Sequence, residues 1–363
     1  MLARKSLIRA GPPLLGMLLL PLLVFADDPK IGPTGLQRDV VFTDYAPLSQ
    51  NKELMQRLMT PLIAVRIRRA VARSGLALRE QSIDPAHEDF VIYVPSRAPP
   101  HGYALLVFVP PWRDARVPRG WTSTLEQHGI IFVSAANSGN DTNILDRREP
   151  LALLAAQNVI GRYRIDPERV YVGGFSGGSR VALRIALGYP DVFHGALLNA
   201  GSDPIGDAEA PVPPADLFRT FQNSTRLVYL TGQQDTPNLD NDRGSRLSMR
   251  NWCVFNVDTQ EMPRVGHEVA DSVALNHALD TLFKEPHTDP DKLAECRTRI
   301  EDKLTAELRH VEDLLADRKS DDALKLLEKI DAHYGGLAAP RSIALAVQIE
   351  SPPPEQAGRA QGQ

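Results

Sequence analysis

The chain has 363 residues, 41 Lys and Arg against 45 Asp and Glu, a formal net charge of −4 and 43% hydrophobic residues. That length holds one large domain with a smaller addition, and the apolar content is that of a globular protein. The slight acidity, without any long basic run, removes the electrostatic basis for binding nucleic acid and points to small molecules as partners.

Residues 1–26 join Arg4, Lys5 and Arg9 to an apolar run over 12–25, and Val24 and Ala26 are small residues at the positions a signal peptidase reads. The sequence therefore predicts an export signal cleaved after Ala26, so that the protein is periplasmic or secreted. The apolar run is too short and too interrupted by proline to span a membrane, and no later segment could cross one. An exported chain carries Cys253 and Cys296 into an oxidising compartment, where one disulfide is allowed and two buried thiols are equally compatible with the sequence. Residues 27–76 form an N-terminal segment, irregular to about residue 47. It continues as an amphipathic helix over 52–73 that breaks near Pro61. Its Arg66, Arg68, Arg69 and Arg73 read as a solvated helix face.

Over 77–286 strand-like and helix-like segments alternate. Residues 78–83 and 90–94 read as a hairpin or meander. The apolar runs at 105–109, 130–134, 170–172, 196–198, 227–230 and 254–257 read as buried strands, with helices at 151–163 and 273–283 among those between and after them. Such alternation predicts an α/β fold: a mostly parallel sheet with helices on both faces, binding its ligands at the carboxyl ends of the strands. Residues 287–349 carry apolar positions at helical spacing and form a small C-terminal helical appendage. Its 321–335 stretch resembles half of a tetratricopeptide unit; a lone unit cannot form a solenoid, so it is expected to pack on the main domain. Residues 350–363, rich in Pro, Gly and Gln, are expected to be a disordered tail.

Within the alternating region, Gly174-Phe175-Ser176-Gly177-Gly178 fits the G-x-S-x-G pattern of a serine presented on a sharp strand-to-helix turn. The strand-like RVYVG at 169–173 leads into it. The helix-like SRVALRIAL at 179–187 leads away, with Val181, Ala182, Ile185 and Ala186 on one face. Ser176 is the predicted nucleophile, and a serine hydroxyl needs a base that a third group orients. His267, in the loop PRVGHE at 263–268 after the last strand, is the predicted base. Asp235, in TGQQD just past the strand at 227–230, is the predicted acid, with Asp240 second and Asp203 third. The order Ser, Asp, His is the one an α/β-hydrolase sheet imposes.

These segments resemble a known group. The run RIDPERVYVGGFSGGSRVALRIALGYPDVFHGALLNAG is similar to the nucleophile region of bacterial polyhydroxybutyrate-depolymerase-like and feruloyl-esterase-like α/β-hydrolases, and LTGQQD and VGHE resemble their acid and base segments. The resemblance covers roughly residues 88–284 and implies the α/β-hydrolase fold with Ser176, Asp235 and His267 as its triad. One segment departs from it. An oxyanion hole takes one N–H from Gly177 and a second from the loop after the strand at 105–109, usually a His-Gly segment. Here that loop reads Pro110-Pro111-Trp112-Arg113, and proline has no N–H, so Trp112 or Arg113 must donate.

Trp112 and Trp121 are candidates to line the substrate pocket or to fill core, and the loop Ala136-Asn137-Ser138-Gly139-Asn140 is either a source of polar contacts with substrate, Asn137 first, or a plain loop. Ligand spacing for a metal is absent from the sequence, as are dinucleotide and P-loop signatures, so no cofactor is expected. The sequence thus predicts an exported serine hydrolase of carboxylic esters, small or polymeric, working through an acyl-enzyme. Two readings compete with it. A serine peptidase of the same fold is disfavoured because no propeller-like repeats precede the domain. A catalytically weak, exported binding protein would use the helical tail for a protein partner.

Overall fold

The computed structural model describes residues 32–350. The predicted export signal and the tail beyond residue 350 lie outside the described residues. In chain order, strand β1 (Gly35–Val41) is followed by helices α1 (Asn51–Leu58) and α2 (Pro61–Arg73), strands β2 (Asp89–Val94) and β3 (Tyr103–Val109), α3 (Trp121–His128) and β4 (Ile130–Ala135). Then come α4 (Glu149–Arg162), β5 (Ile165–Phe175), α5 (Gly177–Gly188), β6 (Gly195–Asn199), α6 (Ala215–Ser224), β7 (Arg226–Gly232), α7 (Thr236–Asn251), β8 (Val257–Met262) and α8 (Ser272–Leu282). Helices α9 (Pro290–Ala316), α10 (Ser320–Tyr334) and α11 (Arg341–Glu350) follow.

The eight strands form one sheet in the order β1-β2-β4-β3-β5-β6-β7-β8. β2 pairs antiparallel with β1 and β4, and every other pairing is parallel. Side-chain alternation along a strand divides the core in two. Leu105, Val107 and Val109 of β3 join the core that α4 and α5 cover with Leu151, Val181 and Ile185, whereas Leu106 and Phe108 join the core under α3 and α8 with Trp121, Leu275 and Leu279. Buried on both faces, the central strands read as unbroken apolar runs. This is the α/β-hydrolase fold.

Three expectations need correcting. Residues 78–83 do not form a strand: they contribute a single bridge, Gln50 to Gln81, and Leu76 and Leu78 stay exposed because nothing covers them. The partner of β2 is instead β1, inside the stretch read as irregular. β1 is a polar edge strand with only alternate residues partly covered, so no apolar run announces it. The last strand also begins three residues late, at Val257. α7 runs on to Asn251, and the chain then turns through Cys253 at a φ of 62°, leaving Val254 buried in the turn.

The C-terminal helices lie against the α/β unit and against α2. Asp331 of α10 accepts the Leu62 N–H at the start of α2 (3.1 Å), Arg66 pairs with Glu328, and Arg69 pairs with Glu350. Part of the basic face of α2 therefore meets acidic residues of α10 and α11. The cysteine pairing that the sequence left open is resolved as a disulfide, Cys253 to Cys296, which ties the turn after α7 to α9. Among the described residues no helix is long and apolar enough to cross a membrane.

Candidate active site

Strand β5 ends at Phe175 and α5 begins at Gly177, so Ser176 alone turns the chain, at φ 56° and ψ −124°. A residue with a side chain is strained there, and such strain persists only where the surroundings over-determine it. They do so here. The Ser176 N–H donates to the Asn199 carbonyl at the end of β6 (2.9 Å), and a Cβ on Gly178 would collide with the Val109 carbonyl at the end of β3. Only glycine at 178 lets the elbow seat so closely. Because Gly177 opens α5, its N–H is one of the helix's unpaired terminal donors.

His267 comes from the loop between β8 and α8, and buried groups hold that loop. Asn199, fully buried, donates to the Leu230 carbonyl (2.8 Å) and accepts the Ala270 N–H (2.9 Å), while the Trp121 indole N–H donates to the Ala270 carbonyl (2.7 Å). Of the two roles open to Trp121, the structure gives it core and anchor. The His267 ring lies on the Phe175 ring, centroids 4.9 Å apart. His267 Nδ1 is 2.7 Å from Asp235 Oδ2, and Nε2 is 2.9 Å from Ser176 Oγ. Asp235, buried, directly precedes α7. The other acidic candidates are engaged elsewhere, Asp240 with Arg243 on the surface and Asp203 with Arg180 at 2.9 Å.

The hydrogen bonds assign the proton. A lone pair on Nδ1 would face a carboxylate oxygen at 2.7 Å, so Nδ1 carries the hydrogen and donates to Asp235, leaving Nε2 to accept from the Ser176 hydroxyl. Among the described residues, no group of three or more His, Cys, Asp or Glu is placed to hold a metal ion.

The loop after β3 is laced to the loop after β4. Arg148, buried in a π-helical turn over Ile144–Arg148, donates to the Pro110 carbonyl and to the Ser138 carbonyl, each at 2.9 Å. Pro111 O accepts from Asn140 N (3.1 Å), Arg113 O accepts from Asn137 N (2.6 Å), and the Arg113 guanidinium pairs with Asp141. The Trp112 ring sits beside Phe108 and Phe175, with the Arg116 guanidinium 4.2 Å over its face. Its indole nitrogen is buried without a partner. Asn137 is exposed and makes its contacts through its backbone, its carbonyl accepting from Arg147 (2.7 Å); the amide packed directly on Gly177 belongs to Asn140. Asn140 belongs to the 136–140 loop that the sequence offers for polar contacts; Arg148 is not singled out by the sequence, because its placement depends on two loops meeting.

Behind Asp235 on α7 sits a second buried carboxyl, Asp242, which accepts from the Thr231 hydroxyl (2.6 Å). Burial pushes its pKa up to about 6, outweighing that hydrogen bond. The folded chain thus holds this proton more tightly than the unfolded one. The penalty is absent below pH about 4, grows as the pH rises, and is complete above about 6 at on the order of 3 kcal/mol. Asp242→Asn should gain that stability relative to wild type between pH 4 and pH 7. Urea unfolding at both pH values would read it, and a constant difference between the two proteins would refute the assignment.

Residues 147–236 match the family described as Esterase PHB depolymerase, a stretch that contains Ser176 and reaches Asp235. The resemblance to the polyhydroxybutyrate-depolymerase group thus stands over residues 147–236. A putative esterase, NocK, of Nocardia uniformis subsp. tsuyamanensis is 34% identical over 87 residues, 24% of this chain and 25% of that protein. The chain therefore spans about a quarter of the length of this curated relative. Similar solved structures include the poly(3-hydroxybutyrate) depolymerase LpqC from Bordetella parapertussis, 17% identical, covering 58% of this chain and 88% of that one at a TM-score of 0.39. A ferulic acid esterase is 15% identical, covering 54% and 90% at a TM-score of 0.39.

Proposed function

We propose that the protein is an exported serine hydrolase that cleaves carboxylic esters by two-step acyl transfer. What carries the reading is the continuous series Ser176 Oγ, His267 Nε2, His267 Nδ1, Asp235 Oδ2, with links of 2.9 and 2.7 Å. His267 takes the Ser176 proton as Oγ bonds to the ester carbonyl carbon, and the carbonyl π electrons move onto oxygen. The N–H groups of Gly177 and Trp112 hold that oxyanion. As the tetrahedral intermediate collapses, the C–O bond to the alcohol breaks and His267 returns the proton to the leaving oxygen. A water then repeats the sequence against the acyl-serine and frees the acid.

The site opens to solvent. The His267 side chain is 44% exposed, which suits an ester presented from outside, on a small molecule or along a chain. Export draws on residues 1–26, and the Cys253–Cys296 bridge fits an oxidising compartment. The C-terminal helices act as a brace on the α/β unit.

Purified protein should be labelled at Ser176 by a fluorophosphonate and should turn over short p-nitrophenyl esters faster than peptide anilides. Ser176→Ala should lose both labelling and turnover. Labelling elsewhere, or ester turnover that survives the substitution, would remove the proposal.

A further inference from the structure

One helical turn into α7, the Asn238 amide nitrogen lies 2.9 Å from Asp235 Oδ1, 2.9 Å from Asp235 Oδ2 and 3.0 Å from His267 Nδ1. Because Nδ1 already carries a hydrogen directed at Asp235, it cannot accept, and the Asn238 hydrogens go to the carboxylate. The amide cannot be reversed, since its oxygen would then face both carboxylate oxygens. That oxygen is instead lodged against Gly201, whose φ is 107° and where a Cβ would collide with it. A carboxylate held by one histidine can pivot about its Cβ–Cγ bond. Donors on its remaining lone pairs stop the pivot.

We propose that Asn238 is a positioning residue that locks the Asp235 carboxylate in the orientation keeping the His267 proton on Nδ1. The proposal rests on the ester-hydrolase reading. The groups placed about His267 are Asp235 before α7, Asn238 on α7, Ser176 before α5 and the Phe175 ring of β5. Asp242, farther along α7, feels the like charge of Asp235.

Kinetics with a p-nitrophenyl ester test this. Asn238→Ala should lower kcat by about ten- to a hundredfold with KM changed by less than about twofold. In an Asp235→Ala background the same substitution should cause no further loss, because its target is gone. Wild-type kcat in Asn238→Ala, or additive losses in the double variant, would each overturn the role. Fluorophosphonate labelling of wild type separates the two claims. Failure to label overturns the hydrolase reading and this proposal together, whereas normal labelling with an indifferent Asn238 overturns the proposal alone.

Discussion

Asp235→Asn should lower kcat/KM for a p-nitrophenyl ester by about ten-thousandfold while leaving the protein folded. The substitution is nearly isosteric, and the Asp235 side chain makes no capping hydrogen bond to α7, so the helix loses nothing at its start. The Asn238 amide nitrogen is 2.9 Å from both Asp235 oxygens and so does not choose between the two orientations of the new amide, one of which turns the amide nitrogen toward His267 Nδ1. A donor in that place forces Nδ1 to accept. The proton then moves to Nε2 and faces Ser176 Oγ, where it blocks the uptake of the hydroxyl proton. Steady-state rates beside a urea midpoint would check the expectation. A rate within about tenfold of wild type would transfer the acid role to Asp240 or Asp203, both of which are ion-paired elsewhere.

Why could this site be read in part from the chain? The central strands bury both faces and so appear as apolar runs, and the elbow requires glycine beside the serine, which leaves a mark in the letters. His267 and Asp235 were reachable because each follows a strand's carboxyl end, a position that topology alone specifies. The edges behave differently. β1 and β8 keep many polar, exposed residues, so their hydrogen-bonding partners decide their conformation more than their apolar content does. Asn238 stands in a polar stretch that carries no motif; its proposed role comes from one helical turn and from the space left by Gly201 in a loop distant in sequence. Arg148 gave a contrary signal, since an arginine is expected at the surface, and only the meeting of the loops after β3 and β4 supplies the carbonyls that bury it.

Arg148 accordingly bears the second large prediction. Arg148→Ala should destabilise the fold by about 3–5 kcal/mol and lower kcat by about two to three powers of ten. The side chain is 3% exposed, and burial lowers its pKa to about 10, so it remains a cation at neutral pH. Its removal strands the Pro110 and Ser138 carbonyls without a donor. It also takes one cation from the vicinity of the fully buried Glu149, which keeps only the 2.7 Å bond from Arg184. The loss in rate follows from the first of these changes. With no N–H at Pro110 or Pro111, that part of the loop is held through its carbonyls, and the Arg148 bond to the Pro110 carbonyl anchors it two residues before the proposed oxyanion donor, Trp112 N–H. Arg148→Lys discriminates between stability and placement. An ammonium restores the charge and much of the stability, yet it cannot reproduce a planar fork aimed at two carbonyls, so kcat should stay low. Urea unfolding and kcat measured on the three proteins would decide it: wild-type kcat in Arg148→Lys would mean that charge alone holds the loop, and wild-type kcat in Arg148→Ala would mean that the Pro-Pro segment needs no anchor.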